Sequence, residues 1–290
     1  MRYPKISIIT PSFNHAKYLE QTILSVLNQN YPNLEYIIID GGSNDNSIEI
    51  IKKYANRLAF WVSEPDDGLY DALQKGFEKS TGDIMGWLNS DDMLHNNSLF
   101  SIAEILSLDK VEWIQGVPTL YDELGRTINV LPHERWSKCR YWLNDFKWIQ
   151  QESTYWTRKL WSDAGGYIST NYKYAGDMEL WNRFFKYEKL FTPNCLIGGF
   201  RIRTKGQLSL EGEDKYSDEA ELILKKNILG EDEKENIKKI KRINTCMKLF
   251  QKSRVLNVEL IMSRLRDKRN DLYHFPNNIR FCREKQTFLL

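Results

Sequence analysis

Hydrophobic and polar positions in the first ninety residues alternate between two kinds of segment. Continuous apolar runs predict strands buried on both faces, and they cover residues 5–10, 35–40, 58–63 and 83–88. Apolar residues at helical spacing lie between these runs and predict helices over residues 16–28, 46–54 and from 68 onward. Asn46 and Glu49 are predicted to form a capping pair at the start of the second helix. This alternation predicts an α/β fold with a parallel, doubly wound sheet.

The remaining chain changes character twice. Residues 136–174 are rich in aromatic side chains, most of which we expect in the core, with one or two at an acceptor site. A helix containing residues 176–181 follows, then a strand over 195–202 and a polar loop over 203–214 that we expect to be mobile. From residue 216 the pattern is helical and includes an apolar stripe of Ile240, Ile243, Met247 and Phe250.

Charge is distributed unevenly along the chain. The segment from Lys238 to Lys285 has 14 Lys or Arg against 4 Asp or Glu, although the whole chain has a net charge of only +2. The four cysteines lie far apart without CxxC spacing, which argues against a structural zinc site and fits a reducing compartment. With neither a leader nor an apolar run of membrane-spanning length, we expect a cytoplasmic protein, soluble or peripheral at the membrane.

Polar residues follow the predicted strands at the edge where parallel sheets bind ligands. Asp91 and Asp92 end the fourth strand, and adjacent carboxylates there suit a divalent cation completed by substrate phosphates. The alternative is that one of them caps a helix starting near Met93. Asp40 precedes two glycines and is placed either to accept a hydrogen bond from a nucleotide base or to stabilise its own turn.

Asp177 and Glu179 lie near the start of the helix that contains residues 176–181. A carboxylate facing the cleft takes a proton from an acceptor hydroxyl, whereas one facing outward caps the helix or is simply solvated. The sequence pattern alone favours the second reading.

The motifs taken together resemble a known family. The runs SIITPSFNHAKYLEQTILSVLNQNYPNLEYIIIDGGSNDNS, EPDDGLYDALQKG, TGDIMGWLNSDD and YAGDMELWNRF resemble the inverting glycosyltransferases of family 2, which have the GT-A fold. The resemblance is dense over residues 5–100 and looser to about residue 210.

This resemblance implies a role for each matching residue. Thr10, Pro11, Ser12 and Asn14 would shape the nucleotide pocket, and Asp40 would read a pyrimidine base; UDP is the favoured nucleotide and dTDP the next. Asn89, Ser90 and Asp91 would take the place of the metal-binding Asp-x-Asp motif, with Asp92 next to it, and Asp91 and Asp92 would hold Mn²⁺ or Mg²⁺. Asp177 would be the catalytic base of a single inverting displacement of a sugar onto an acceptor hydroxyl.

Two departures from the family pattern affect the site. Asn89 stands where many relatives have Asp, so one negative charge is lost. Where relatives often carry a His, this chain has Arg201, Arg203 and Lys205, which are candidates to neutralise the donor diphosphate directly. We therefore also consider a non-catalytic sugar- or nucleotide-binding scaffold of the same fold. A dehydrogenase lacks support because no GxGxxG motif follows the first strand.

These observations predict a division of the chain. Residues 1–212 would form the GT-A domain, with a nucleotide-binding half over 1–118 and an acceptor half over 119–212, and residues 213–290 a basic helical extension. The resemblance suggests bacterial polysaccharide or lipid-linked glycan assembly. The basic tail would then bind an anionic membrane surface, unless it is a solvated face or its stripe packs on the catalytic domain. We expect no nucleic acid partner.

Overall fold

The computed structural model describes residues 3–143, 149–207, 212–227, 229–251 and 258–290. Its main sheet has six strands in the order β3-β2-β1-β4-β9-β6. The first four strands of the chain are parallel, and β9 pairs antiparallel with both β4 and β6. The strands of this sheet are β1 (Ile6–Ser12), β2 (Leu34–Asp40), β3 (Phe60–Ser63), β4 (Ile84–Trp87), β6 (Trp113–Gln115) and β9 (Thr154–Thr157). The predicted parallel α/β sheet is therefore confirmed.

Helices cover both faces of this sheet. Ile6 and Ile8 of β1 pack in one core cluster with the first helix, whereas Ile9 packs in a second cluster with the third and seventh helices. This division follows from the alternation of side chains along a strand. The helices up to residue 187 are α1 (Ala16–Leu27), α2 (Ser47–Tyr54), α3 (Leu69–Lys79), α4 (Ser98–Leu106), α5 (Lys138–Trp142), α6 (Arg158–Asp163) and α7 (Gly176–Tyr187).

A second, four-stranded sheet stands beside the end of β4. Its order is β5-β10-β7-β8. Its strands are β5 (Met93–Leu94), β7 (Thr119–Tyr121), β8 (Thr127–Val130) and β10 (Gly198–Arg201). Because β5 directly follows Asp91 and Asp92, the predicted alternative of a helix starting near Met93 is wrong. The acidic pair instead lies where the two sheets meet.

The carboxyl-terminal extension is helical for most of its length and packs on the rest of the chain. It contains α8 (Glu213–Lys225), α9 (Glu231–Gln251), α10 (Val258–Tyr273) and a hairpin of β11 (Arg280–Cys282) and β12 (Thr287–Leu289). The sequence pattern did not predict the hairpin. Phe288 joins the same core cluster as β1, and its N–H donates to Glu104 of α4 at 2.8 Å. Packing therefore runs across the boundary predicted at residue 212.

The apolar stripe of the extension is largely covered within the chain. Ile240 packs with Cys139 and Tyr273, while Ile243 and Met247 pack with Met262 of α10. Phe250 is half-buried in the same cluster. The predicted packing of the stripe on the catalytic domain thus holds for Ile240, whereas Ile243 and Met247 pack on the extension itself. No helix among the described residues is long and apolar enough to cross a membrane.

Two further predictions are resolved by the local structure. Asn46 precedes α2, but its side chain makes no capping hydrogen bond; Asp45 accepts the Ser47 N–H at 2.9 Å instead. The aromatic segment is mainly core, as expected, since Trp136, Trp156 and Trp161 are buried in one cluster. Parts of two predictions, at residues 144–148 of this segment and residues 208–211 of the loop, lie outside the described residues.

Candidate active site

Two loops at the carboxyl ends of β1 and β2 are tied to each other. The Asn14 N–H donates to Ser43 Oγ at 2.8 Å, and Asn14 Oδ1 accepts the Asn44 N–H at 2.9 Å. Asn14 adopts a left-handed backbone conformation (φ 53°), which asparagine tolerates better than most residues. The Ala16 N–H at the start of α1 donates to Asp45 Oδ2 at 2.9 Å. These bonds give the predicted nucleotide turn a defined shape.

Thr10, Pro11 and Ser12 form the last part of β1 and are buried. Thr10 Oγ1 lies 3.0 Å from the Tyr36 hydroxyl, so this side chain is engaged within the sheet. Ser12 Oγ is buried and has no hydrogen-bond partner among the described residues. Ser12 is therefore the member of this group with an unused polar atom at the strand end.

Asp40 is fully buried, and its own loop holds its carboxylate. It accepts hydrogen bonds from Ser43 N–H at 2.9 Å, Ser43 Oγ at 2.6 Å and Ser63 Oγ at 2.7 Å. These are the bonds of the turn-stabilising alternative. A carboxylate accepts about four hydrogen bonds, which leaves capacity for one more donor. Whether that donor is a nucleotide base stays a prediction.

Asp91 forms an ion pair with Arg203, with Asp91 Oδ2 and Arg203 Nε 2.9 Å apart. Arg203 Nη1 also donates to His15 Nε2 at 3.1 Å. Because Nε2 accepts this bond, the proton of a neutral His15 lies on Nδ1, which is 2.6 Å from Ser90 Oγ. Burial lowers the pKa of His15 and favours the neutral ring. Ser90, Asp91, His15 and Arg203 thus form one connected cluster.

Asp92 was predicted to be a metal ligand, but both of its carboxylate oxygens are bonded within the protein. It is fully buried, its Oδ1 accepts the Arg201 N–H at 2.8 Å, and its Oδ2 accepts from Asn89 Nδ2 at 3.2 Å. Burial and the charge of Asp91 raise the pKa of Asp92 well above its usual range. These bonds join the acidic pair to β10, so we assign Asp92 to the framework of the site. Asn89 Oδ1 is buried without a partner among the described residues.

The three predicted diphosphate contacts occupy different environments. Arg201 is fully buried, and its guanidinium donates to the main-chain oxygens of Asp91 and Glu123. These bonds favour a structural role for Arg201 rather than the predicted diphosphate contact. Arg203 is paired with Asp91, and Lys205 is exposed on the following loop. Arg203 is therefore the best placed of the three to meet a phosphate.

Asp177 lies in the first turn of α7, half-buried beside Tyr70 of α3. The Tyr70 hydroxyl is 3.3 Å from Asp177 Oδ1 and accepts the Asp177 N–H at 3.3 Å. Burial raises the pKa of Asp177 to about 6, although hydrogen bonds from Met178 and Tyr70 oppose this effect. A carboxylate with that pKa is ionised at neutral pH and is a stronger base than an ordinary aspartate.

The other carboxylate of this helix is engaged elsewhere. Glu179 forms an ion pair with Arg183, with Oε1 and Nε 2.9 Å apart. Arg183 also donates to the Ala164 and Tyr167 carbonyls, so the pair fixes the loop before α7. Of the two candidates, the structure leaves Asp177 as the one available to act as a base.

The extension contributes directly to the surroundings of Asp177. Glu219 of α8 accepts the N–H groups of Lys173, Tyr174 and Ala175 at 3.0, 2.9 and 2.8 Å. These bonds hold the chain that enters α7, and the Glu219 charge adds to the raised pKa of Asp177. Sequence reasoning missed Glu219, because its partners are about 45 residues distant along the chain.

Sequence reasoning also missed His15 and Glu152. His15 directly follows the predicted turn residue Asn14, so its position in the motif was the available signal. Glu152 is 2% exposed in a 3-10 turn, Gln151–Ser153, just before β9. Burial raises the pKa of Glu152 to about 8, and the charges of Asp91 and Asp177 add to this effect. Its surrounding sequence has neither a helical nor a strand period that would have marked it.

The first half of the chain matches a known protein family. The model of glycosyl transferase family 2 matches residues 7–161, which includes β1 to β9 and the acidic pair. An uncharacterized glycosyltransferase from Haemophilus influenzae is 44% identical over 102 residues, covering 34% of this chain and 41% of that protein. One from Rickettsia prowazekii is 27% identical over 205 residues, covering 69% of this chain and 64% of that protein. The matches thus span less than two thirds of these relatives.

Solved structures share the fold at low sequence identity. Residues 1–349 of TarS from S. aureus, in complex with UDP-GlcNAc, match with a TM-score of 0.63 and 16% identity over 93% of this chain and 89% of that one. The mannosyltransferase PcManGT from Pyrobaculum calidifontis, in complex with GDP-Man and Mn²⁺, matches with a TM-score of 0.64 and 15% identity over 94% and 85%. By its sequence and its GT-A fold, this chain belongs to glycosyl transferase family 2.

Proposed function

We propose that this protein transfers one sugar from a nucleotide-diphosphate donor to an acceptor hydroxyl with inversion at the anomeric carbon. The observation that carries the proposal is Asp177, a carboxylate of raised pKa at the start of α7 in a chain of this family. The acceptor oxygen forms its bond to the anomeric carbon while its proton passes to Asp177. The bond from that carbon to the diphosphate oxygen breaks, and the electron pair leaves with the nucleoside diphosphate.

We propose UDP as the nucleotide, bound at the carboxyl ends of β1 and β2. The Ser12–Asn14 turn and the loop after Asp40 would enclose the nucleoside. The remaining acceptor capacity of Asp40 would receive N3–H of uracil, a proton that cytosine lacks. The UDP-GlcNAc complex of TarS supports a UDP-sugar donor. PcManGT instead binds GDP-Man, so the identity of the nucleotide base must be tested.

A divalent cation would bind at Asp91, where the local chemistry fits it in part. The carboxylate of Asp91 and the unpaired Oδ1 of Asn89 are oxygen ligands of the kind that Mg²⁺ and Mn²⁺ use together with substrate phosphates. Among the described residues, no group of three or more His, Cys, Asp or Glu could hold a metal. We infer that donor phosphates supply the other ligands. When bound, the cation would offset the charge that develops on the diphosphate.

Arg203 links the two states of this site. Without donor, its guanidinium neutralises Asp91. We propose that Arg203 would turn to the diphosphate in the donor complex, where Asp91 would be neutralised by the bound cation instead of by Arg203. Arginine suits phosphate oxygens through its planar set of donors.

The acceptor would be a growing glycan in bacterial polysaccharide or lipid-linked glycan assembly, with the enzyme in the cytoplasm at the inner face of the membrane. The exposed Lys238, Lys241 and Arg242 on α9 support a contact with anionic lipid. Because Ile240 and Ile243 on that helix are buried, we propose an electrostatic contact rather than an inserted helix.

A non-catalytic donor-binding scaffold is the second candidate. It is favoured by Asn89 in place of a carboxylate and by the ion pair that occupies Asp91. A thermal-shift screen of UDP-, dTDP- and GDP-sugars with and without Mn²⁺ identifies the donor. NMR of the anomeric proton in the product then tests inversion. An enzyme releases nucleoside diphosphate above the buffer rate, whereas a scaffold binds the donor and releases none.

A further inference from the structure

The turn Gln151–Ser153 lies at the ligand-binding edge of the main sheet. It directly precedes β9, which pairs antiparallel with β4. The turn contacts β4, β5 and β10, the strands next to the acidic pair. The carboxyl group of Glu152 interacts electrostatically with both Asp91 and Asp177. Glu152 is therefore close to the two groups that flank the reacting bond in the proposed function.

The backbone of this turn is firmly held. Gln150 binds both main-chain groups of Thr119, accepting from its N–H at 3.1 Å and donating to its carbonyl at 3.0 Å. The Gln150 carbonyl accepts hydrogen bonds from the hydroxyls of Ser153 and Thr154. The Glu152 carbonyl packs so closely on Gly198 that a Cβ there would be 2.1 Å away. The side chain of Glu152 thus starts from a fixed position.

Several buried polar atoms of this turn lack hydrogen-bond partners among the described residues. Glu152 Oε1 is buried and has no hydrogen-bond partner among the described residues. Both amide atoms of the adjacent Gln151 are in the same condition. Buried polar groups in folded proteins are nearly always paired, because an unpaired one keeps its desolvation cost without compensation. A fixed carboxyl group with one unpaired oxygen, at the ligand-binding edge of the sheet, is suited to receive a ligand hydroxyl.

The position identifies which part of the donor would meet this group. The diphosphate would lie at Asp91 and the acceptor oxygen at Asp177. The anomeric carbon is bonded to the first and attacked by the second, so the transferred sugar ring must lie between them. A carboxyl group accepts a hydrogen bond from a sugar hydroxyl when ionised and can also donate one when protonated.

We propose that Glu152 binds a hydroxyl group of the transferred sugar and thereby contributes to the choice among hexose and N-acetylhexosamine donors. This inference rests on the proposed function and assigns a sugar contact within it. The alternative is that Glu152 is another metal ligand. In that case the affinity for Mn²⁺ in the presence of UDP would depend on Glu152.

Calorimetry with UDP, UDP-glucose, UDP-galactose and UDP-GlcNAc in Mn²⁺ tests the assignment. In Glu152→Ala, we expect UDP to bind within twofold of the original protein, while the preferred UDP-sugar weakens about tenfold relative to UDP, the scale of one lost hydrogen bond. Glu152→Gln keeps the shape and should change the ranking among the three sugars. Glu112→Gln is the matched control, because Glu112 binds the Thr157 hydroxyl at the other end of β9.

A melting experiment separates a ligand contact from a structural role. Because Oε1 of Glu152 is unpaired, Glu152→Gln should melt at the same or a higher temperature without ligand, whereas loss of a structural residue lowers it. Unchanged UDP-sugar to UDP affinity ratios in both Glu152 variants would overturn the assignment and leave the proposed function intact. A fall in Mn²⁺ affinity in the presence of UDP would overturn it in favour of a metal ligand. Failure of every UDP compound to bind the original protein would overturn the UDP donor as well.

Discussion

Arg203 and Asp91 form an ion pair with Nε and Oδ2 2.9 Å apart, at the position where the family motif would hold a cation. The pair joins a loop after β10 to the end of β4. It gives the acidic site a positive partner that belongs to the protein itself.

Replacing Arg203 should therefore have two opposite effects. In Arg203→Ala, the free Asp91 should bind Mn²⁺ more tightly in the absence of donor, while UDP should bind several-fold more weakly because a phosphate partner is lost. Titration calorimetry measures both affinities. Arg126→Ala is the control, since Arg126 forms an exposed ion pair with Asp122. Equal Mn²⁺ affinity of the two variants without UDP would contradict the proposal that Arg203 and the cation alternate as partners of Asp91.

Asp40 offers a test of the nucleotide base. Asp40→Asn keeps the size of the side chain but replaces one acceptor oxygen by a donor group. We expect UDP binding to weaken by about 1–3 kcal/mol, the scale of an unsatisfied buried polar group, and the preference for UDP over CDP to fall. Ser63→Ala, which removes one hydroxyl donor to Asp40 and leaves its carboxylate, is the control. Retained discrimination against CDP in a folded Asp40→Asn protein would place base recognition elsewhere.

Because the pKa of Asp177 is raised in the folded protein, ionisation of this group should lower the free energy of unfolding as pH rises. Well below pH 4 the carboxyl group is protonated in both states and has no effect. Between pH 4 and 6 the unfolded chain ionises first, so stability falls as pH rises, and above the folded pKa of about 6 the full cost is present. Asp177→Asn should thus be more stable by about 1–3 kcal/mol at pH 7 and by little at pH 4. Urea unfolding at both pH values checks this, and an equal gain at both would contradict it.

The basic face of α9 should bind anionic vesicles through charge. Co-sedimentation should show binding to phosphatidylglycerol vesicles, little binding to neutral ones, and marked weakening as salt rises. Reversing the exposed Lys238, Lys241 and Arg242 to Glu should abolish binding. Reversing the exposed Lys52, Lys110 and Lys186 gives the same net charge and should have a smaller effect. Equal loss in both triple variants would show that total charge, rather than this face, determines binding.

The parts of the fold that depend on local pattern were predictable. Apolar runs identified the four parallel strands because such strands are buried on both faces, and their ends identified Asp40 and Asp91. The hairpin at β11 and β12 was missed because Phe288 is its only buried residue and no alternating pattern marks it. The predicted cap of α2 by Asn46 was wrong, because Asp45, one residue earlier, accepts the hydrogen bond from Ser47 N–H.

The missing parts of the site arise from contacts between distant segments. The Tyr70 hydroxyl meets Asp177 across 107 positions of the chain, and Arg203 meets His15 across 188. Local periodicity carries no information about such pairs. The family motif supplied Asp177, but its half-buried position and raised pKa follow from how α3 and α8 pack on α7.

Asp177 is the proposed base of the glycosyl transfer reaction. The most direct test compares UDP release from the preferred UDP-sugar, with Mn²⁺, by the original protein and by Asp177→Asn. We predict a fall of about 10²–10⁴-fold in the rate, with UDP affinity within twofold, and no such fall in Asp163→Asn, whose carboxylate pairs with Lys159. Turnover by Asp177→Asn within a few-fold of the original protein would contradict the assignment of Asp177 as the base.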